Sequence, residues 1–279
     1  MRVGDVTVVA WPGMEDLAIG LAEEADRPAL WPGLGRRTAG PIRLIVVPDG
    51  SGFAELTGGR APSWGAGIAV PGARTIMLRA DAADITRTLR HEIAHLVLDG
   101  AVRSRRPLWF DEGYATWAAG EFGRIDALAL NLAVVRGRVP ELPELDRALR
   151  GSASEADAAY ALAATAVIEL AARNPTNSIE PLLSRLATGT AFNEAVLATT
   201  GLTVGRFEIE WRRTVRRRYG LLAWTAAGGL WLIVAVVVLV AARVRRHTDA
   251  PRREALNEGW ELPRDDDAPD ELDPTRGQV

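Results

Sequence analysis

From Tyr219 to Ala242 the chain runs 24 residues without a charged side chain. A helix needs about 20 apolar residues to cross a bilayer, so this run is long enough to span one. Trp224 and Trp231 within it suit an interfacial or lipid-facing position. A buried core helix is the competing reading, and such helices rarely carry so long a run. The run divides the chain into a domain at 1–218, an expected transmembrane helix at 219–242 and a polar tail at 243–279. The tail contains Pro and the triplet Asp265, Asp266, Asp267, a composition that predicts disorder.

Arginines flank the run on both sides. Arg212, Arg213, Arg216, Arg217 and Arg218 precede it, and Arg243, Arg245 and Arg246 follow. The positive-inside rule therefore selects no orientation. No basic, then apolar, leader opens the sequence. The expectation is a single-pass membrane protein. Its N-terminal domain is extracytoplasmic if a signal peptide precedes Met1, and faces the cytoplasm otherwise.

Within 1–218 the pattern changes once. Short Val- and Ile-rich segments at 6–10 and 41–47 predict strands around a helix at 14–25. Segments 67–70 and 74–78 predict a hairpin about Pro71-Gly72. From Asp84 onward the periodicity is helical, with helices expected at 84–98, 110–120, 124–136, 155–173, 178–187, 191–199 and 203–218. A mixed N-terminal sheet followed by a helical half predicts an α+β fold.

Composition removes several chemistries. The chain has no cysteine, so disulfides, thiolate metal sites and a Cys nucleophile are excluded. A net charge of −3 gives no reason to expect a nucleic-acid partner. Only three histidines are present, His91, His95 and His247.

Two of them belong to His91-Glu92-Ile93-Ala94-His95, an H-E-x-x-H motif. Ile85, Leu89, Ile93 and Leu96 give this segment an apolar stripe, so it reads as a helix. Helical residues four apart share a face, which lets both imidazoles meet one metal ion, expected to be Zn2+. Glu92 projects beside them as the candidate general base for a metal-activated water. The motif also occurs by chance. Here it takes both histidines of the 1–218 domain.

A catalytic zinc uses three protein ligands and keeps one position open. A third histidine at metzincin spacing is excluded, because Leu98 and Ala101 stand where Gly and His would be needed. The carboxylate candidates are Asp99, Asp111, Glu112, Glu121 and Asp126. Asp99 lies one turn beyond His95, roughly 6 Å along the axis, and reads as a helix-end or supporting group. Asp111 reads as a helix cap. Glu112 is better placed, opening a second helix after an excursion through Gly100 and Pro107.

The segment Trp109-Phe110-Asp111-Glu112-Gly113-Tyr114-Ala115-Thr116, whose Glu112 is separated from His95 by sixteen residues, resembles the Trp-Leu-x-Glu-Gly-x-Ala-Thr segment of gluzincin peptidases. The whole pattern is similar to the bacterial peptidase-MA-like group, related to the M1 aminopeptidases. That resemblance implies a gluzincin-like zincin fold with Glu112 as the third zinc ligand. It also implies that Ser63 to Ile68 forms a strand lining the substrate cleft, and that Phe207 to Arg212 belongs to the last helix of the domain. Tyr160 stands where related domains often carry a Tyr that stabilises the oxyanion; a core Tyr is the alternative. Thr116, one turn after Glu112, is placed to hydrogen-bond a ligand, and Tyr114 reads as packing. The Gly-x-Met-Glu-Asn motif of the M1 aminopeptidases is absent, so aminopeptidase specificity is not implied, and the His-to-Glu spacing is slightly shorter than theirs.

The resulting expectation is a membrane-anchored zinc metallopeptidase acting on a peptide or protein substrate. The residues in question are His91, His95 and Glu112 as ligands, with Glu92 and Tyr160 as catalytic groups. The alternative is a membrane-tethered binding or scaffold protein whose zinc is structural or lost. An intramembrane protease is set aside, since Arg87 and Arg90 flank the motif.

Overall fold

The computed structural model describes residues 1–120 and 139–257, with the side chains of 220–230 and 246–257 left out of the description. The expected helix at 124–136, the candidates Glu121 and Asp126, and the tail beyond 257 lie outside the described residues. Two units are distinguished, Met1–Trp224 and Thr225–Val279.

The first unit starts with a five-stranded mixed sheet. Its strands are β1 (Arg2–Val3), β2 (Val6–Ala10), β5 (Ile42–Val47), β6 (Gly67–Val70) and β7 (Thr75–Arg79), in the order β1-β2-β5-β7-β6. The three central strands β2, β5 and β7 are parallel, and β1 and β6 pair antiparallel at the two edges. Parallel neighbours require crossovers, supplied by helices α1 (Glu15–Asp26) and α2 (Gly50–Thr57). Central β5 is the most apolar strand, and its Leu44, Val46 and Val47 are fully buried.

The helical half contains α3 (Ile85–Ala101), α4 (Leu108–Ala118), α5 (Leu142–Ala148), α6 (Ala153–Arg173), α7 (Glu180–Ala187), α8 (Phe192–Thr200) and α9 (Val204–Asn257). Helix α3 lies against β6 and β7 of the sheet and against α1. The long, Ala-rich α6 packs most extensively on α4. Trp109 stacks on Phe207 at 6.5 Å, and its edge meets Phe192 at 5.8 Å. Phe207, Trp211, Val215 and Tyr219 of α9 are buried, and the Trp211 indole donates to Thr165 Oγ1 at 3.0 Å.

The α+β expectation is met, with several additions. Strand β1, the hairpin β3 (Ala29–Trp31) and β4 (Gly35–Arg37), α2 and α5 were not expected from periodicity. Helix α2 is short and Gly-rich; its ends are fixed by Asp49, which accepts from the Ser51 and Gly52 N–H groups, and by left-handed Gly58.

The last helix needs a correction. The expected helices at 203–218 and 219–242 form one continuous helix, α9, which runs on through the first residues of the expected tail to Asn257. Ala241, Ala242, Arg243 and Arg245 are good helix formers that carry the helix past the apolar run. No helix among the described residues is long and apolar enough to cross a membrane. The expected span at 219–242 includes 220–230, whose side chains are not described.

Candidate metal centre and cleft

Helix α3 carries the first two donors. Asp84 caps it by accepting the Arg87 N–H at 3.0 Å. Leu89, Ile93, Leu96 and Leu98 sink into the core, which turns His91, Glu92 and His95 toward the open side, in the cleft lining. Two further residues hold the helix in place. Arg74, in the left-handed region at φ 49°, reaches from the β6–β7 turn to donate to the Leu96 carbonyl at 3.2 Å. Gly67 of β6 lets the strand lie close: a Cβ there would sit 2.8 Å from Thr88 Cγ2 and 3.1 Å from Glu92 Cγ.

Helix α4 supplies the third donor. The chain turns after α3, and the Trp109 N–H at the new helix start donates to Asp146 Oδ1 at 2.7 Å. Asp111 does not cap this helix; Pro107 occupies the cap position, and Asp111 Oδ1 instead accepts from Arg106 Nε at 2.5 Å. Asp99 lies 3.9 Å from Arg106 and takes no part in the donor cluster. Both acids therefore face a guanidinium, as supporting groups.

Glu112 Oε2 lies 3.3 Å from His91 Nε2 and 3.3 Å from His95 Nε2. All three donor atoms fall within 4.8 Å of one another. A tetrahedral ion with bonds of about 2.0–2.1 Å separates its donors by roughly 3.3 Å, so the cluster fits zinc in spacing and in donor type. Burial alone would raise the Glu112 carboxyl, but His95 and His91 overcome it and hold that carboxyl well below the ordinary range. Glu92 goes the other way. Its burial outweighs the attraction of His91 and His95 and raises its pKa.

The donors open onto a cleft of about 920 Å³. One wall is β6 with the loop before it; another is Tyr160 of α6 with the loop 149–152. The Tyr160 ring stands edge-on to His91, centroids 5.8 Å apart, and edge-on to Trp64 at 6.5 Å. Trp64 is itself tied across the cleft, its indole donating to the Gly151 carbonyl at 3.2 Å. Thr116 Oγ1 is buried with no hydrogen-bond partner among the described residues, so it does not hold a ligand in the way expected. Tyr114 is packing, as expected, with its hydroxyl on the Pro32 carbonyl at 2.9 Å. Sequence reasoning passed over Arg106 and the Trp64–Gly151 tie. No motif marks either; both depend on chain segments that only the fold brings together.

The profile of the peptidase MA superfamily matches residues 42–217, well over half of the chain. The chain belongs to the peptidase MA superfamily. The match runs from β5 to the buried part of α9, so it includes the sheet centre, all three donors and Tyr160 of this peptidase MA domain. No curated protein matches the chain.

Proposed function

We propose that this protein is a zinc-dependent metallopeptidase, anchored to a membrane by its last helix. The observation that carries the reading is the His91, His95 and Glu112 cluster with Glu92 beside it on the cleft wall. A structural site has no use for a buried carboxylate that ligates nothing, and Glu92 is not among the donors.

The substrate is taken to be an extended peptide. Strand β6 is the outer strand of the sheet and lines the cleft, so it offers main-chain groups to an added strand. Zinc, when bound by the three donors, supplies the Lewis acidity that polarises the scissile carbonyl and acidifies water. Glu92 takes the proton from the attacking water and delivers it to the leaving amine nitrogen. Tyr160 is assigned to donate its hydroxyl hydrogen bond to the developing oxyanion. His91 and His95 stay in place as ligands.

Membrane attachment rests on the uncharged run 219–242 and on the large apolar side chains exposed from Trp231 to Val240. Such a stretch is costly to leave in water. Extraction of cell membranes at alkaline pH tests it: the full chain should remain with the membrane, and release into the supernatant contradicts the anchor.

The metal assignment is tested by elemental analysis of the purified full chain. The parent should carry about one zinc per chain, and Glu112→Ala should lose most of it. Equal zinc in both would remove Glu112 from the site.

A further inference from the structure

The charges of the cleft are unevenly matched. Its carboxylates are Glu92, Asp99, Asp111 and Glu112. Glu112 faces the two histidines, with Glu92 beside them, and Asp99 and Asp111 share Arg106. Two more cleft residues are cationic, Arg60 and Arg150, and neither has a carboxylate within ion-pairing distance among the described residues. Arg150 only reaches the backbone carbonyl of Asp146, at 3.4 Å.

Both arginines lie in the segments joined by the Trp64–Gly151 hydrogen bond. Arg60 lies four residues before Trp64, and Arg150 directly precedes Gly151, the residue that accepts the Trp64 indole N–H. The tie thus brings the two arginine-bearing loops to the same side of the cleft, next to Tyr160. Asp99, Asp111 and Arg106 lie with α3 and α4. Two cations that line the cleft without a counter-charge give that part of it a positive potential, which favours an anionic group.

We infer that the cleft selects peptides carrying an acidic side chain, whose carboxylate is held by Arg60 and Arg150 beside the Trp64–Gly151 tie. This specificity rests on the peptidase reading above for its substrate class. Both arginines are exposed, so the preference is roughly fivefold, the size that exposed ion pairs supply, and salt weakens it.

The test uses the zinc-loaded full chain with Glu92→Gln, which holds a peptide without needing to cleave it. Two labelled peptides of equal length, one with three Glu and one with Gln at the same places, are titrated by fluorescence anisotropy. The Glu peptide should bind about fivefold tighter at low salt, and the ratio should fall toward one at high salt. Arg60→Gln with Arg150→Gln should bring the ratio to one, and Arg60→Glu with Arg150→Glu should invert it, which a misfolded protein would not do. Equal binding of the two peptides, no binding of the Glu peptide, or a ratio that survives both double variants overturns the inference. Because binding is read without cleavage, the two readings fail separately. An intact ratio with no Glu92-dependent hydrolysis sinks only the peptidase, and hydrolysis without a ratio sinks only the acidic preference.

Discussion

Gly113 and Ala163 touch where α4 crosses α6: a Cβ built on Gly113 would lie 2.4 Å from the Ala163 carbonyl oxygen. The contact fixes Glu112, its neighbour in sequence, relative to the helix that carries Tyr160. A side chain at 113 cannot be absorbed by a flexible tip, because the obstacle is backbone. Gly113→Ala should therefore push the helices apart, cost about 1–3 kcal/mol of stability and weaken zinc binding. Thermal unfolding and a zinc competition titration check this, and unchanged values for both would show that the crossing is slack.

Tyr160→Phe separates chemistry from binding. The ring that meets His91 and Trp64 is retained, and only the hydroxyl is lost. We expect kcat to fall about 10²–10³-fold, with KM and zinc content close to the parent. Steady-state kinetics on one peptide, with metal analysis of the same sample, decide it. A full kcat would make Tyr160 a packing residue of the cleft wall.

The raised pKa of Glu92 has a consequence for the metal-free protein. A carboxyl whose folded pKa lies above its unfolded value binds its proton more tightly when folded. Its effect on stability is absent below the unfolded pKa and grows unfavourable as pH rises through the folded one. Glu92→Gln removes that charge. The variant should match the parent in acid, below about pH 4, and become more stable than it toward neutral pH. Denaturant unfolding of both metal-free chains across pH measures the difference. A constant gap would contradict the burial of an ionisable group there.

Asp146 is an expected weak point far from any motif. It accepts the Trp109 N–H at the start of α4, three residues before the third donor. Asp146→Ala should cost about 1 kcal/mol, the usual loss of a helix cap, and loosen zinc by a similar factor. A melt and a zinc titration read both. No change in the melt would mean that another group replaces the cap.

The parts of the site that were legible in the sequence are those encoded at helical spacing. His91 and His95 declare themselves because four residues make one turn, and Leu89, Ile93 and Leu96 say which face is buried. Glu112 was readable less directly, through the Glu-Gly pair; the reason for its glycine, the closeness of Ala163, is a tertiary fact. The parallel centre of the sheet was hidden because β2, β5 and β7 are paired across distances that no local pattern records. Helix α2 was missed since Gly50 and Gly52 argue against a helix, and Asp49 and Gly58 override them at its ends. Asp111 was misread as a cap because an acid in a first turn has that role by default, whereas Arg106 claims it here. The end of α9 was set too early, since the change from apolar to polar residues after Ala242 is a change of surroundings and not of backbone conformation.

The central claim is that Glu92 does the proton transfer at a zinc held by His91, His95 and Glu112. Casein hydrolysis by the zinc-loaded full chain, compared with Glu92→Gln at matched zinc content, tests it most directly. The account predicts chelator-sensitive cleavage by the parent and a loss of at least about 10²-fold in the variant, of the order expected for removing a general base. Cleavage by Glu92→Gln at the parent rate, or none by the parent, would contradict it.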